Sequence, residues 1–367
     1  MSGPIRLAIL GATGSIGRQA LEVVAAHPDR LRVTALAART RGDELRRIAG
    51  ELGVSHVVTG DADLVPLATA DDVDLVLIAT PGIAGLRPTL AALAAGKDVA
   101  LANKEVLVVG GHLVRAACGG AGRRLRPVDS EHCALWQCLA GVRSEEVRRV
   151  ALTASGGPFR ERPLAELAAV TAAEALRHPT WRMGPKVTID SATLTNKGYE
   201  VVEAHWLYGT PYDRIDVVLH PESVVHAMVE LQDGSVKAQL AEPDMRLPIQ
   251  YALLWEHRQG PAARLDWTRE RTLRFGPVPP DRYPCLAAVL ETARSGDPAA
   301  MIGLSAADEV AVERFLVGAI GFGDIHGYLR RGAELGARSG GDTGSVDGIL
   351  DIDAAVRRAL APATVGV

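Results

Sequence analysis

The sequence predicts an α/β protein with an N-terminal doubly wound parallel sheet, a central α/β domain and a C-terminal α-helical domain. Three observations lead there. The apolar run Ile5 to Leu10 ends in a glycine turn, Gly11-Ala-Thr-Gly14-Ser-Ile-Gly17, and a helical pattern follows from Arg18 to Ala26. Strand-sized apolar runs then alternate with helix-sized ones as far as residue 128. From Leu286 to Leu360 the pattern is mostly helical.

Strand, glycine turn and helix in that order begin a Rossmann-like nucleotide-binding unit, because glycines let a pyrophosphate approach backbone N–H groups at a positive helix end. Leu31 to Ala38 reads as the second strand. An NAD site usually carries an acid at the end of that strand for the ribose 2′-hydroxyl, but here stands Arg39-Thr40-Arg41. Two guanidiniums beside a hydroxyl suit a 2′-phosphate, so NADPH is the expected coenzyme. Val73 to Ile78 is a buried-type strand, Leu86 to Ala95 a helix closed by Gly96, and Val99 to Ala102 a further strand. A strand within Arg123 to Val128 leads into Asp129-Ser130-Glu131-His132, at a carboxyl end where α/β sheets commonly hold ligands.

Beyond Val150 the pattern mixes short strands (Val150 to Thr153, Lys186 to Ile189, Ile215 to Leu219, Ser235 to Leu240) with helices at Leu164 to Ala175 and Glu200 to Leu207. Gly260 to Pro284 is Pro- and Arg-rich and reads as a linker, while Ser339 to Ser345 is a Gly/Ser loop.

The 367 residues, 47% hydrophobic and 23% charged, belong to an ordinary globular protein. A net charge of −4 argues against nucleic acid or a membrane surface as partner and for a small molecule. No signal peptide or membrane-length apolar run is seen. Cys118, Cys133, Cys138 and Cys285 lie at no zinc or redox spacing, which suggests free thiols in the cytoplasm.

The segment His178 to Glu203 concentrates a histidine, two lysines, an asparagine, hydroxyls and carboxylates. Asp129 and Glu131, two apart, point the same way on an extended stretch, and Glu200 and Glu203, three apart, share a helix face. Carboxylates converging without arginines suggest a hard divalent cation, Mg2+ or Mn2+. Ser155-Gly156-Gly157, His178, Ser191, Asn196 and Lys197 offer the donors that a phosphate needs, with Asn196 and Lys197 at the start of the helix containing Glu200.

These residues resemble the 1-deoxy-D-xylulose 5-phosphate reductoisomerase family. The likeness runs through Gly11 to Gly17, Leu101-Ala-Asn-Lys-Glu105, Pro127-Val-Asp-Ser-Glu-His132, Thr153-Ala-Ser-Gly-Gly-Pro-Phe159, the segment from His178, His220-Pro-Glu-Ser223 and Pro243-Asp-Met-Arg246. It continues through Asp281-Arg-Tyr-Pro-Cys-Leu286 and Ala306-Ala-Asp-Glu-Val-Ala311, so it covers nearly the whole chain.

The resemblance implies that Asp129, Glu131 and Glu200 bind the metal, with Glu203 in support. Lys104, Ser130 and Asn196 contact substrate hydroxyls, and Ser155, Ser191, Asn196 and Lys197 hold the phosphate beside His178. Thr13, Gly14, Ser15, Ile16, Asn103, Glu105 and Gly184 line the coenzyme site. Trp181 and Met183 sit on a flap, residues 178–186, that closes over the substrate. Domains of 1–128, 129–260, a linker of 261–285 and 286–367 follow, with a homodimer formed through the central domain. The implied reaction converts 1-deoxy-D-xylulose 5-phosphate to 2-C-methyl-D-erythritol 4-phosphate by retro-aldol/aldol rearrangement and hydride reduction. Departures from the family pattern at Arg39 to Arg41, Val106, Thr80 to Gly82, Cys133, Thr180, Arg182 and Pro185 admit a second reading. It is a divergent paralogue acting on a related phosphorylated or phosphonate substrate. A third reading is a catalytically silent NADP-sensing protein.

Overall fold

The computed structural model describes residues 3–119, 124–178, 180–181, 183–255, 257–258 and 260–361. Its first sheet contains β1 (Ile5–Leu10), β2 (Leu31–Ala38), β3 (His56–Thr59), β4 (Leu75–Ile78), β5 (Asp98–Leu101) and β6 (Leu125–Pro127). Their order is β3-β2-β1-β4-β5-β6, with every neighbouring pair parallel. The chain winds outward to β3 and then restarts beside β1 at β4. The crevice between β1 and β4 is therefore the topological switch point, where such sheets take ligands.

Both faces of this sheet are covered, as a parallel sheet requires. Ala8, Leu10, Val76, Ile78 and Leu101 share one apolar core with Met301, Ile302, Ile325 and Val356 of the C-terminal helices. The alternate residues Leu7, Ile9, Leu75, Leu77 and Ala100 pack instead with Val23 and with Ile249 and Leu253 of the helix Arg246–Leu254.

The glycine turn behaves as its sequence demands. Gly11 has φ +102°, and a Cβ on Gly17 would lie 2.3 Å from the Gly11 carbonyl oxygen, so neither position accepts a side chain. The following helix spans Ser15–Ala26, starting a turn earlier than its apolar periodicity suggests.

The second sheet holds β7 (Val147–Ala154), β8 (Ile215–Leu219), β9 (Val225–Leu231), β10 (Val236–Leu240) and β11 (Gly276–Pro277), in the order β10-β9-β7-β8-β11. Only β7 and β8 are parallel. Strand β9 is absent from the sequence reading. The segment 260–284 is largely irregular apart from β11, and the helices Pro284–Ser295, Pro298–Leu316, Asp324–Ala337 and Val346–Leu360 complete the chain. No described helix is long and apolar enough to cross a membrane.

Two expectations about local structure are corrected. Lys186 to Ile189 is not a strand but lies in the helix Pro185–Thr193. Pro185 at the first helical position presets φ, and the Thr188 hydroxyl donates to the Gly184 carbonyl at 2.9 Å, which outweighs the strand preference of Val187 and Ile189. The helix expected from Leu164 to Ala175 is broken into a 3₁₀ segment, Leu164–Ala169, and one α turn, Ala172–Ala175. Thr171 causes the restart, capping the Glu174 N–H while the Glu174 carboxylate accepts from the Thr171 N–H.

Candidate active site and metal centre

A cavity of about 830 Å³ opens at the seam between the two sheets. Its walls include Ser15 and Ile16 of the glycine turn, Lys104, Asp129, Ser130 and Glu131 beyond β5 and β6, and Ser155 after β7. His178, Trp181, Met183, Gly184, Ser191, Asn196, Lys197 and Glu200 close the other side.

Asp129 and Glu131 converge by a different route from the one their spacing suggests. Asp129 is extended (φ −60°, ψ 141°) and caps the helix Ser130–Leu139, so Glu131 already belongs to the first helical turn. Glu200 arrives on the helix Thr195–Tyr208. That helix and Pro185–Thr193 meet at Leu194, whose left-handed φ of 56° turns Asn196, Lys197 and Glu200 toward the cavity. Carboxylate oxygens of Asp129, Glu131 and Glu200 lie within 4.8 Å of one another.

Two ammonium groups hold the acids together. Lys197 donates to Glu131 Oε1 at 2.9 Å and closely to Glu200, while Lys104 pairs closely with Asp129 and lies 3.6 Å from Glu200 Oε1 and 3.7 Å from Glu203 Oε2. Ser130 donates to Glu131 Oε2 and Asn196 Nδ2 to Glu200 Oε1, both at 2.6 Å. Burial alone would raise the Glu131 carboxyl, but Lys197 and Lys104 overcome it and hold that group well below the usual carboxylate range. Glu200, 1% exposed, is pushed up by burial and by the Glu131 charge.

This donor set fits a hard divalent cation. It is all oxygen, one face opens into the cavity, and Asn196 Oδ1 is buried without a partner. A second group, Asp129, His132 and Glu203, is equally compact, but His132 and Glu203 do not line the cavity. Glu203 thus stands behind the open triad, braced by Lys104, and His132 fixes the helix by contacting the Glu200 carbonyl at 2.8 Å.

The hydroxyl-rich end centres on His178. Its Nδ1 accepts the N–H groups of Thr180 (3.1 Å) and Trp181 (2.9 Å), so the proton sits on Nε2, between Ser155 Oγ (3.2 Å) and Ser191 Oγ (3.1 Å). Burial pulls this imidazole down to about 4. Gly157 allows the approach: its φ is +67°, and a Cβ there would lie 2.8 Å from the Ser191 carbonyl oxygen. Of the segment read as a flap, Pro185 and Lys186 already belong to a helix, and Pro179 and Arg182 lie outside the described residues.

Residues expected around a coenzyme are partly tied to one another. Thr13 Oγ1 reaches the Thr40 carbonyl at 3.4 Å, and Arg41, itself left-handed at φ 60°, donates to the Thr13 carbonyl at 2.9 Å. Arg39 pairs with Asp61 at the surface, 2.7 Å away. Asn103 Nδ2 donates to the carbonyls of Thr80 (2.5 Å) and Gly82 (2.7 Å), joining the turns after β4 and β5. Thr13 and Asn103 tie these turns together, and neither they nor Gly14 and Glu105 line the cavity itself.

Sequence reading missed His226 and gave no role to Ser223, Met245 and Arg246, although these three lie in motifs that carry the family resemblance; all four are on the cavity wall. His226 faces Trp181 with ring centroids 6.1 Å apart, and burial lowers its pKa against the opposing pull of Glu131. Its signal lay in β9, the strand that was not anticipated.

A doubly wound sheet whose carboxyl edge meets an oxygen-only triad and a hydroxyl cradle defines a class: an α/β enzyme built for a nucleotide, a cation and an anionic small molecule. Family models narrow the class. Those for the 1-deoxy-D-xylulose 5-phosphate reductoisomerase, its C-terminal domain and the DXP reductoisomerase C-terminal domain match residues 7–65 with 51–111, 125–208 and 240–359 respectively. The reductoisomerase of Thermomicrobium roseum is 53% identical over 342 residues, covering 88% of this chain and 89% of that one. That of Geobacillus kaustophilus is 48% identical over 351 residues, covering 89% and 92%. A solved DOX-P reductoisomerase in complex with NADPH, fosmidomycin and magnesium superposes with TM-score 0.89 at 36% identity, covering 97% of both chains. The Zymomonas mobilis enzyme in complex with NADPH gives 0.86 at 39%, again over 97% of both. The chain belongs to the 1-deoxy-D-xylulose 5-phosphate reductoisomerase family.

Proposed function

We propose that this chain converts 1-deoxy-D-xylulose 5-phosphate to 2-C-methyl-D-erythritol 4-phosphate, using NADPH and one divalent cation, Mg2+ or Mn2+. The observation that carries the reading is the convergence of Asp129, Glu131 and Glu200 beside the Ser155–His178–Ser191 cradle in one cavity. Relatives named for this activity over nearly the whole chain support it and leave the divergent paralogue without a favouring observation.

Asp129, Glu131 and Glu200 would hold the cation, which would supply Lewis-acid polarisation of the substrate's carbonyl and hydroxyl oxygens. Lys104 and Ser130, both on the cavity wall, would donate to those oxygens, and Asn196 orients Glu200 while its Oδ1 stays free to accept from a substrate hydroxyl. Ser155, Ser191, Asn196 and Lys197 bind the phosphate, with the His178 Nε2 proton shared between the two serines. Neutral at physiological pH, His178 orients the two serine hydroxyls without adding a positive charge of its own. Trp181 and Met183 cover the cavity and exclude water while the carbon skeleton rearranges and is reduced. Thr13, Gly14, Ser15, Ile16, Asn103, Glu105 and Gly184 hold the coenzyme, and Arg39 and Arg41 read its 2′-phosphate.

The active unit is a cytoplasmic homodimer joined through the second sheet. Four unpaired cysteines support the compartment, and the free edge of β10, where Val236 is 55% exposed, supports the interface. Light scattering reads the mass directly; a stable monomer removes the dimer. For the reaction, NADPH absorbance is followed with 1-deoxy-D-xylulose 5-phosphate in Mg2+, in Mn2+ and in chelator. Oxidation that needs both sugar phosphate and metal is expected, and its absence defeats the assignment.

A further inference from the structure

Behind the cavity, one side chain ties three regions of the chain to a single atom. The Lys186 ammonium has three N–H donors and three carboxylate partners: Glu105 Oε1 at 3.1 Å, Asp190 Oδ2 at 2.5 Å and Asp308 Oδ2 at 2.9 Å. Its Nζ also lies 5.0 Å from the Tyr199 ring centroid, and the Tyr199 hydroxyl donates to Asp308 at 3.1 Å. Glu105 opens the helix Glu105–Ala117 of the first sheet's layer, and Asp308 lies midway along the C-terminal helix Pro298–Leu316. Asp190 and Asp308 are sealed from solvent, at 2% and 0% exposure.

One cation against three acids is an expensive way to fasten a core, since four apolar side chains of similar volume are often at least as stable. What it fastens explains it. Glu105 follows Asn103, the residue that joins the turns after β4 and β5. Lys186 stands two residues after Gly184 on the cavity wall. Glu309, next to Asp308, packs its carboxylate against Gly82, where a Cβ would lie 2.8 Å from Oε1, and pairs with Arg357 at 2.9 Å. The C-terminal helix therefore braces both the turn after β4 and the start of the helix after β5. It does so from behind, because neither Asp308 nor Glu309 lines the cavity.

We propose that Lys186 is a positioning residue for the coenzyme, fixing Glu105 against the Gly184 end of the neighbouring helix, with Asp308 carrying that restraint into the C-terminal helices. This rests on the NADPH reading above. It predicts that coenzyme affinity depends on Asp308, a buried residue that does not line the cavity.

The test is direct titration of NADPH by fluorescence, without substrate turnover, on the full-length protein and on Asp308→Asn, Lys186→Met, Lys186→Arg, Glu105→Gln and the Glu105→Gln/Asp308→Asn pair. Wild type that binds no NADPH defeats the coenzyme reading itself, separately from this inference. With wild-type binding intact, Asp308→Asn is expected to raise Kd about tenfold, while KM for the sugar phosphate, read in a separate turnover assay, changes less than about twofold. Lys186→Arg keeps the charge and is expected to hold the rise to about threefold. The double variant is expected to bind no more weakly than Glu105→Gln alone, since both act through the same carboxylate. If Lys186→Met fails to fold, Asp308→Asn and Lys186→Arg decide the matter. Asp308→Asn with native circular dichroism and wild-type Kd overturns the proposal, as does a double variant whose losses add.

Discussion

Changing Glu131 to Gln tests the metal centre without rebuilding it. Counted at formal charge, Asp129, Glu131, Glu200 and Glu203 set four negative charges against the two ammonium groups of Lys104 and Lys197, a balance of −2 that one divalent cation would cancel. The variant retains an oxygen at the same place but reduces the balance to −1. Loss of one charged ligand lowers cation affinity on the order of 100-fold or more. At a Mg2+ concentration of about 100 Kd the wild type gains ~2.7 kcal/mol on cation binding, whereas the variant, now near its own Kd, gains only ~0.4 kcal/mol. The assay is urea unfolding with and without Mg2+, read beside turnover. Only the Mg2+ increment is diagnostic, because metal-free stability moves both with the lost Lys197 pair and with the relieved repulsion toward Glu200. A variant that gains as much from Mg2+ as wild type, or that turns over normally, refutes the ligand assignment.

Other consequences are equally open to measurement. Because the folded His178 titrates near 4, below the ordinary 6.5, the unfolded chain takes its proton first as pH falls; this contribution is complete above about pH 6.5 and declines toward pH 4. Wild type is expected to lose up to ~3 kcal/mol more than His178→Gln across that window, and parallel unfolding profiles would show that the imidazole is not buried neutral. Gly157→Ala adds left-handed strain and a 2.8 Å clash with the Ser191 carbonyl, for a loss of about 2 to 4 kcal/mol and a raised KM for sugar phosphate; unchanged denaturation midpoints would contradict the contact. Arg41→Ala removes a guanidinium and its bond to Thr13, so KM for NADPH should rise about tenfold with that for NADH unmoved. Equal effects on both coenzymes would assign Arg41 to the turn alone.

The first sheet was readable because its signals are local. Ile5–Leu10 and Leu31–Ala38 are apolar runs bounded by punctuation, and the glycine turn needs only its own residues to explain it. The chemistry was partly readable for the same reason: Asn196, Lys197 and Glu200 stand at helical spacing. Asp129 and Glu131 reached the right neighbourhood by a mistaken route, since a two-residue spacing cannot distinguish an extended stretch from a helix cap. Lys186 to Ile189 misled because alternate Val and Ile imitate a strand when the neighbouring Pro185 is ignored. His226 went unread because long-range pairing of β9 with β7, rather than any local pattern, brings it to the cavity, while Ser223 and Arg246 stood in family motifs but carried no local signal of a role.

Leu194 has a consequence for how the centre comes into being. Asp129 and Glu131 follow β6 of one sheet, while Glu200 swings in on a helix whose direction is set by that left-handed residue. Neither half possesses a chelating set by itself. A cation that enters the triad is thus a rivet across the seam, and its affinity reports how completely the two halves have docked. Chelation should loosen the join before either sheet melts, and a substitution at residue 194 that forbids positive φ should weaken metal binding while touching no ligand.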